Sequence, residues 1–366
     1  MGLEEELILV EPGSLAPVGA IEPVLAALDG PRFAAEFRTP QLELIMPSSP
    51  TVGGLSAELA RTRRYAVDRL GGAVRLLAAG THPAATGPAA VTDTSRYRRI
   101  AADHVWGIRR GLPCGLHVHV GVGDPDEALA VYNAARSRLP ELAALAANSP
   151  FFEGGDAGLA SARLKLVEDM PRAGIPPLFA SWREFAAYAH WGLGSGLFPD
   201  LGHLWWDLRP RPDLGTLEFR IADTQTLVSD TAAIVAVCQA LVAALGTRFR
   251  AGDRLAAHPA HAIAENRWRA VRDGVAGELV DLDTGVAEPA RHRIGRLLLE
   301  LEPYAAELGS SAELELAWTM LARNGELRQR LVAAERGADG LVAWLVEQTE
   351  WPSQVAPPDA QPAPAL

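Results

Sequence analysis

Four short stretches of the chain alternate acidic or histidine side chains with apolar ones. They are Gly-Leu-Glu-Glu-Glu at 2–6, Gln-Leu-Glu-Leu at 41–44, His-Val-His-Val at 117–120 and Thr-Leu-Glu-Phe-Arg at 216–220. Because residues two apart on a β-strand share a face, Glu4 points the same way as Glu6. His117 likewise points the same way as His119. The pattern predicts a sheet that packs one face on a core and keeps the other face polar.

Carboxylates decide what the polar face can do. A charged carboxylate there costs free energy unless it is solvated, paired with a positive charge or bound to a cation. Oxygen-rich ligand sets suit Mg²⁺ or Mn²⁺, which usually accompany substrate phosphates. Arg220 shares a face with Glu218, and arginine suits forked contacts with phosphate oxygens. From the residues alone, a solvated sheet face with ordinary salt bridges is an equal alternative. Glu5 faces the apolar side, where pairing with an arginine is favoured over metal ligation.

Composition excludes several classes of function. The chain has 366 residues, 48% of them hydrophobic, and a formal net charge of −11. Without a long basic run, neither nucleic acid nor an anionic membrane is expected as the main partner. Two cysteines, Cys114 and Cys238, give no disulfide framework, and Cys114 is expected to be a small buried residue. We expect no signal peptide and no membrane-spanning stretch, and hence a cytoplasmic protein.

The remaining pattern is of helices between the strands. Apolar spacing predicts helices over 55–71, 125–147 and about 229–250, the last capped by Ser229 or Asp230. Residues 149–177 are rich in Gly and Pro, and long irregular stretches in compact domains usually carry function. We expect a single domain over 1–351, sheet-rich over 1–250 and helical over 251–351. The tail at 352–366 is expected to be disordered.

Residues 36–46 form a second extended run, which Pro40 interrupts. Glu36 and Glu43 are an odd number of residues apart, so they would face opposite sides of one flat strand. Both can be ligands only if the chain bends near Pro40.

Seven stretches in this order resemble the glutamate–cysteine ligase type 2 family, also called carboxylate–amine ligases. They are GLEEELILV, QLELIMP, GLHVHVGV, LAANSPFFEGG, WWDLRP, GTLEFRIAD and ENRWRAVRDG, and the resemblance runs from Gly2 to about Trp351. It implies an α+β fold like that of glutamine synthetase, with a curved, mainly antiparallel sheet. The concave face of that sheet would bind ATP and divalent metals, and helices would cover the outer face.

The resemblance also implies roles for individual positions. It implies metal ligation by six residues, which are Glu4, Glu6, Glu36, Glu43, His117 and Glu218. Arg220 would face phosphate and, with Glu43, take part in catalysis, and Arg209 would contact the nucleotide. Arg163 would hold the carboxylate of an amino acid, and His119 would contact the acyl substrate. Asn266 and Arg267 fall in a stretch typical of the group and are placed at the nucleotide, with no individual role given.

These roles imply an ATP-dependent ligase with Mg²⁺ or Mn²⁺ as cofactor. Its partners would be an amino acid, an amine and ATP, and a homodimer stays open. The nominal reaction is glutamate–cysteine ligation. One alternative is the same chemistry on a different acid or amine. Another is a metal-dependent hydrolase that uses His117, His119 and the acids around zinc, although carboxylates far outnumber histidines here.

Overall fold

The strands come from all parts of the chain. A computed structural model describes residues 1–104 and 111–351. Within them the strands are β1 (Gly2–Val10), β2 (Phe33–Ala35), β3 (Gln41–Met46), β4 (Arg75–Leu77), β5 (Gly115–Gly121), β6 (Phe151–Phe152), β7 (Gly155–Asp156), β8 (Leu208–Arg211), β9 (Thr216–Asp223), β10 (Glu278–Val280) and β11 (Ala287–Pro289).

Helices fill most of the intervals and make up most of the described part of the C-terminal third. They are α1 (Ile21–Leu28), α2 (Val52–Leu70), α3 (Ser95–Asp103), α4 (Pro125–Ala135), α5 (Leu139–Leu145), α6 (Ala162–Glu168), α7 (Trp182–Gly194), α8 (Val228–Arg250), α9 (Ala260–Asp273), α10 (Ala290–Glu307), α11 (Ser311–Arg323) and α12 (Gly325–Glu350).

One seven-stranded sheet organises the molecule. Its order is β2-β3-β1-β5-β9-β8, with β4 paired to β1 beyond the end of β5. Every pairing in it is antiparallel. The strands β6 and β7 form one separate two-stranded sheet, and β10 and β11 form another. The predicted α+β class with a mainly antiparallel sheet is confirmed.

The apolar residues of the alternating stretches form the core. Leu3 and Leu7 of β1 lie with Leu116 and Val118 of β5 in one large buried cluster. Helix α8 contributes a long run of buried residues to that cluster and contacts α2, α4 and β5. Helices therefore cover the apolar face, and the sheet presents its polar alternate residues on the other face.

The polar face does not stay polar along the whole of β1. Beyond Glu4 and Glu6 the same face continues with Ile8 and Val10, which lie in a second buried cluster with α12. The end of α12 is fixed to the sheet edge, because the Glu350 carboxylate accepts from the Leu76 backbone N–H at 2.8 Å. The C-terminal helix thus covers one end of this face, and the acidic end faces a cavity.

Four expectations about the elements need correction. Residues 36–46 are not one strand, because β2 and β3 form a hairpin whose turn leaves Glu36 just outside β2. The 125–147 helix is interrupted by a 3₁₀ turn at Arg136–Arg138. Helix α8 begins at Val228 without a side-chain cap, and Asp230 instead pairs with Arg328. Part of the 149–177 stretch is regular, since it contains β6, β7 and α6.

The expectation that no segment could span a membrane also needs correction. In the described part of the chain, α8 is long and apolar enough by length and composition. However, 83% of its apolar window is buried inside the protein, where it packs against the sheet and other helices. Its composition is accounted for by this core position. The predicted single domain over 1–351 stays a prediction, and the predicted disordered tail lies outside the described residues.

Candidate functional site

A cavity of about 840 Å³ lies against the acidic end of the sheet. Eight of the predicted site residues line it, namely Glu4, Glu6, Glu36, Glu43, His117, Arg163, Arg209 and Arg220. His119 and Glu218 are buried and outside this lining, and both lie in the sheet beside residues that line it. The structure therefore brings ten of the twelve predicted residues to one place.

The strand register explains how distant stretches meet. Glu4 of β1 is directly opposite His117 of β5, and Glu6 of β1 is opposite Glu43 of β3. In the same way His119 of β5 is opposite Glu218 of β9. Residues opposite each other on one face have Cβ atoms about 5 Å apart. Alternation along each strand and this register together build a cluster of acids and histidines.

Three of the acids in the cluster lack nearby positive charge sufficient to neutralise them. Burial raises the pKa of Glu6 to about 8, and the adjacent Glu36 carboxylate adds to the rise. Burial and the neighbouring carboxylates raise the pKa of Glu43 well above its usual range. Burial also raises the pKa of Glu36, although a hydrogen bond from Tyr97 opposes this. Like charges this close disfavour ionisation unless a cation joins them.

Glu4 is held differently, by histidines. Burial alone would raise the pKa of Glu4, but the adjacent His117 and His119 side chains bring it below its usual range. The His117 Nδ1 lies 3.2 Å from Glu4 Oε2. Burial, followed by the Arg220 charge, lowers the pKa of His117 to about 4. His117 is therefore a neutral imidazole near pH 7, which is the form that ligates metals.

Two groups of side chains have ligand atoms close enough to share an ion. One is Glu4, Glu43 and His117, and the other is Glu4, His119 and Glu218, with ligand atoms within 4.8 Å of one another in each group. In the second group the Nε2 atom of His119 is buried, and it makes no well-formed hydrogen bond among the described residues, since Glu4 Oε1 lies 3.5 Å away. A weakly paired buried polar atom is costly, so this nitrogen is suited to a ligand that it shares with Glu4.

Glu218 has strong partners of its own. Arg209 forms a forked pair with it, with Nε and Nη2 at 2.8 and 2.9 Å from its two carboxylate oxygens. Arg220 donates to the same carboxylate. Although burial alone would raise the pKa of Glu218, these arginines hold it below its usual range. Glu218 is thus ionised, and its charge is already matched before any metal arrives.

Arg163 lies flat on the sheet at the edge of the cavity. Its Nη2 donates to the Arg220 carbonyl at 3.0 Å and its Nη1 lies 3.8 Å from Asp223 Oδ1, while its Nε has no hydrogen-bond partner in the described part of the chain. A Cβ at Gly115 would lie 2.3 Å from Nη2, so only glycine leaves room for the guanidinium there. Gly115 also donates its N–H to Glu6 Oε2 at 2.5 Å. Gly115 therefore leaves room for the Arg163 guanidinium and donates a hydrogen bond to the Glu6 carboxylate.

Asn266 and Arg267 do not line the cavity. The Asn266 amide exchanges two hydrogen bonds with the backbone of Val280. Arg267 pairs with Asp207 at 2.6 Å and also with Glu168 at the end of α6. These contacts give them structural partners and do not support the expected nucleotide contact, which stays a prediction. Asp207, the acidic partner of Arg267, itself lines the cavity.

Glu5 also behaves as expected. Its two carboxylate oxygens accept from Arg63 Nε and Nη2 at 2.8 and 2.7 Å, on the face that the helices cover. The predicted burial of Cys114 is confirmed.

Sequence reasoning missed the far wall of the cavity. Arg96 and Tyr97 of α3 line it, and Asp200 and Trp205 line it from the segment before β8. No acid or histidine pattern marks these residues. The one sequence signal is Thr94, whose hydroxyl accepts from the Tyr97 N–H at 3.1 Å and starts α3.

The antiparallel sheet with an acid-lined cavity on one face and helices on the other is the glutamine synthetase-like fold that the sequence predicts. The model of the glutamate–cysteine ligase family 2 matches residues 1–348. A protein of Rubrobacter xylanophilus, provisionally named glutamate–cysteine ligase 2-3, is 40% identical and the match covers 95% of this chain and 96% of that protein. A Gloeobacter violaceus protein, provisionally named glutamate–cysteine ligase 2, is 35% identical, with 92% of each chain covered.

Solved structures share the fold at low identity. A glutamate–cysteine ligase from Francisella tularensis, in complex with AMP, has a TM-score of 0.71 at 13% identity, over 96% of this chain and 88% of that one. A bifunctional glutathione synthetase from Pasteurella multocida has a TM-score of 0.68 at 17% identity, over 95% of this chain and 52% of that one. The chain belongs to the glutamate–cysteine ligase family 2 and is a ligase.

Proposed function

We propose that this ligase is ATP-dependent and joins a glutamate-type carboxylate to an amino-acid amine through an acyl phosphate. The observation that carries the proposal is the cluster of Glu6, Glu36 and Glu43, whose carboxylates face one another in a cavity that also contains Arg163 and Arg220. Excess acids beside arginines suit a site that takes up cations and phosphate together.

The donor set fits divalent magnesium or manganese. It consists mainly of carboxylate oxygens, with the neutral imidazole of His117 and the Nε2 of His119, which lies 3.5 Å from Glu4 Oε1. Glu4, Glu43 and His117 would hold one ion, with Glu6 and Glu36 near them, and Glu4, His119 and Glu218 would hold another. Bound ions there would neutralise charge on the phosphates.

The reaction follows from the weakness of a carboxylate as an electrophile. Transfer of the ATP γ-phosphoryl group to the carboxylate oxygen releases ADP and gives an acyl phosphate. The amine then attacks the acyl carbon, the C–O bond to phosphate breaks and inorganic phosphate leaves, and a nearby carboxylate or a water molecule takes the proton from the nitrogen. The residues supply mainly position and charge. Arg220 would stabilise the transferring phosphoryl group, and Arg163 would hold the acid.

The related proteins support the proposal of a nucleotide and of amino-acid substrates. The Francisella protein was solved with AMP, and the names of the relatives specify glutamate and cysteine. The hydrolase alternative has no support, because the family is one of ligases. The same ligation on a different acid or amine remains a second candidate, since the family match defines the reaction class more closely than it defines the acceptor.

Product analysis tests the proposal. The purified protein, ATP, Mg²⁺ and glutamate are incubated with a panel of amino acids and amines, and ADP release is measured against the Glu43→Gln variant. Without an amine, hydroxylamine should trap the acyl phosphate as a hydroxamate. ADP and phosphate are the expected products. AMP and pyrophosphate would mean adenylation and would overturn the mechanism. ADP release with an acceptor other than cysteine would establish the second candidate.

A further inference from the structure

Glu36 differs from the other acids of the cavity in where it is attached. It follows β2 and precedes the turn to β3, so no strand pairing fixes its side chain. Its carboxylate Oε2 accepts a hydrogen bond from the Tyr97 hydroxyl at 2.8 Å, and the same hydroxyl lies 3.1 Å from the Ala35 carbonyl oxygen. Glu6, by contrast, lies within β1 and accepts from a backbone N–H. Tyr97 is thus a side chain from another element that orients Glu36.

Tyr97 is itself well held. Its ring packs edge-on against Phe37 at 5.6 Å between centroids, so it contacts the residue next to the one it orients. The Thr92 hydroxyl donates to the Glu36 carbonyl at 2.6 Å. These contacts join the start of α3 to the β2–β3 turn.

Helix α3 also reaches the opposite rim of the cavity. Arg96, next to Tyr97, pairs with Asp200 at 2.9 Å. A Cβ at Gly202 would lie 2.7 Å from Asp200 Oδ1 and 2.9 Å from Arg96 Nη2, so glycine permits the close approach. Arg209 Nη1 donates to the carbonyls of the 201–204 segment. Helix α3 is therefore a strap attached to both rims, at Glu36 and beside Asp200.

We propose that Tyr97 is a positioning residue for the metal site, which holds the Glu36 carboxylate in the cavity by its hydroxyl from the α3 strap. The inference rests on the proposed function, because it assigns Glu36 to the ions that accompany ATP. Partners that orient a ligating carboxylate typically change metal affinity 10–100-fold when they are removed, as a rough range. Tyr97 acts through Glu36 and does not itself touch the reacting atoms.

The test compares two tyrosines. Tyr97→Phe keeps the ring against Phe37 and removes only the hydroxyl. Tyr65→Phe is the matched control, because Tyr65 also stacks on a phenylalanine, Phe33, and its hydroxyl donates to the Leu28 carbonyl away from the cavity. Binding of Mn²⁺ is titrated by electron paramagnetic resonance in the presence of a non-hydrolysable ATP analogue. We expect Tyr97→Phe to weaken Mn²⁺ binding about tenfold and Tyr65→Phe to leave it unchanged.

A double-mutant comparison separates positioning from a general loss of structure. If Tyr97 acts through Glu36, adding Tyr97→Phe to Glu36→Gln should weaken Mn²⁺ binding no further. Equal Mn²⁺ affinity of wild type and Tyr97→Phe would overturn the inference while leaving the proposed function intact, and so would a further loss in the double mutant. A wild type that binds no Mn²⁺ with the analogue would overturn both. If Tyr97→Phe does not fold, Tyr97→Leu, which likewise lacks the hydroxyl, replaces it in the same comparison with the same expected weakening.

Discussion

Glu5 and Glu6 are consecutive residues of β1 and are both buried, yet their surroundings are opposite. Glu5, on the face that the helices cover, forms a forked pair with Arg63. Arg63 uses its remaining donors on the carbonyls of Gln225 and Thr226. Glu6, on the cavity face, has a backbone N–H as its hydrogen-bond donor and two carboxylates nearby. The pair on the covered face is complete, whereas the group on the cavity face has an excess of negative charge.

Two arginines repeat the contrast. Arg63 has all its hydrogen-bonding nitrogens in use. Arg163, which faces the cavity, has no hydrogen-bond partner for Nε among the described residues and forms only a longer ion pair, with Nη1 3.8 Å from Asp223 Oδ1. A buried charge with incomplete pairing is costly for folding. The sheet therefore satisfies its charges where they support the core and leaves them unsatisfied where, in the proposed function, ions and substrate complete them. Five predictions test this contrast.

The largest effect is expected on the covered face. Glu5→Gln leaves the Arg63 guanidinium buried without its counter-charge, and breaking a buried pair in this way costs about 3–5 kcal/mol. Urea denaturation of the metal-free protein measures the free energy of unfolding. Glu6→Gln is the matched control, one residue away, and should cost nothing or stabilise. An equal loss of stability in both variants would remove the contrast between the two faces.

The second effect is on activity and appears on the cavity face. Glu4→Gln, Glu6→Gln and Glu43→Gln each keep the shape and remove a charge. We expect ATP-dependent turnover to fall at least about a hundredfold while the protein stays folded. The loss of a metal ligand should cost more than the loss of a residue that only orients a ligand. Steady-state ADP release at ordinary magnesium levels checks this. Wild-type turnover in two of the three variants would refute the assignment of these acids.

Glu218→Gln is expected to combine the two effects, the loss of stability predicted for the covered face and the loss of turnover predicted for the cavity face. Its charge is shared between the predicted metal site and Arg209, so the variant should lose both turnover and stability. A variant that kept its full stability would show that the Arg209 pair contributes little to folding.

A smaller effect is expected for Arg163. Arg163→Lys keeps the charge but loses the planar fork, so the KM for the acid should rise about tenfold, equivalent to roughly 1.4 kcal/mol, with ATP affinity little changed. Steady-state kinetics measures both constants. Arg63→Lys serves for comparison, because it should reduce stability instead. An unchanged KM for the acid in Arg163→Lys would mean that Arg163 is a structural arginine.

The smallest effect is a pH dependence of stability. Because the pKa of Glu6 is raised to about 8 in the folded protein from an ordinary value near 4.5, the folded state binds the extra proton between these values. Stability without divalent ions should therefore fall as pH rises from about 4.5 to about 8, by less than about 1.4 kcal/mol per pH unit for this group. Denaturation of wild type and Glu6→Gln across this range checks the sign. A slope no shallower in Glu6→Gln would contradict the role of Glu6.

Much of this site can be predicted from the order of the residues. Alternation along single strands places Glu4 with Glu6, and His117 with His119, on one face, because the backbone geometry of a strand fixes which side chains share a face. It also directs Glu5 to the opposite face. The motifs identify the family, and with it the fold and the reaction class.

Tertiary structure alone decided which partner each charge received. Tyr97 reaches Glu36 and Arg63 reaches Glu5 across 61 and 58 residues of chain, and Arg267 pairs with Asp207, which lines the cavity, without lining it itself. Periodicity within one element carries no information about such pairs, because they depend on how separate elements pack and on which charges burial leaves without water. The sequence determined which face of the sheet is polar, and packing determined which of its acids remain free for a ligand.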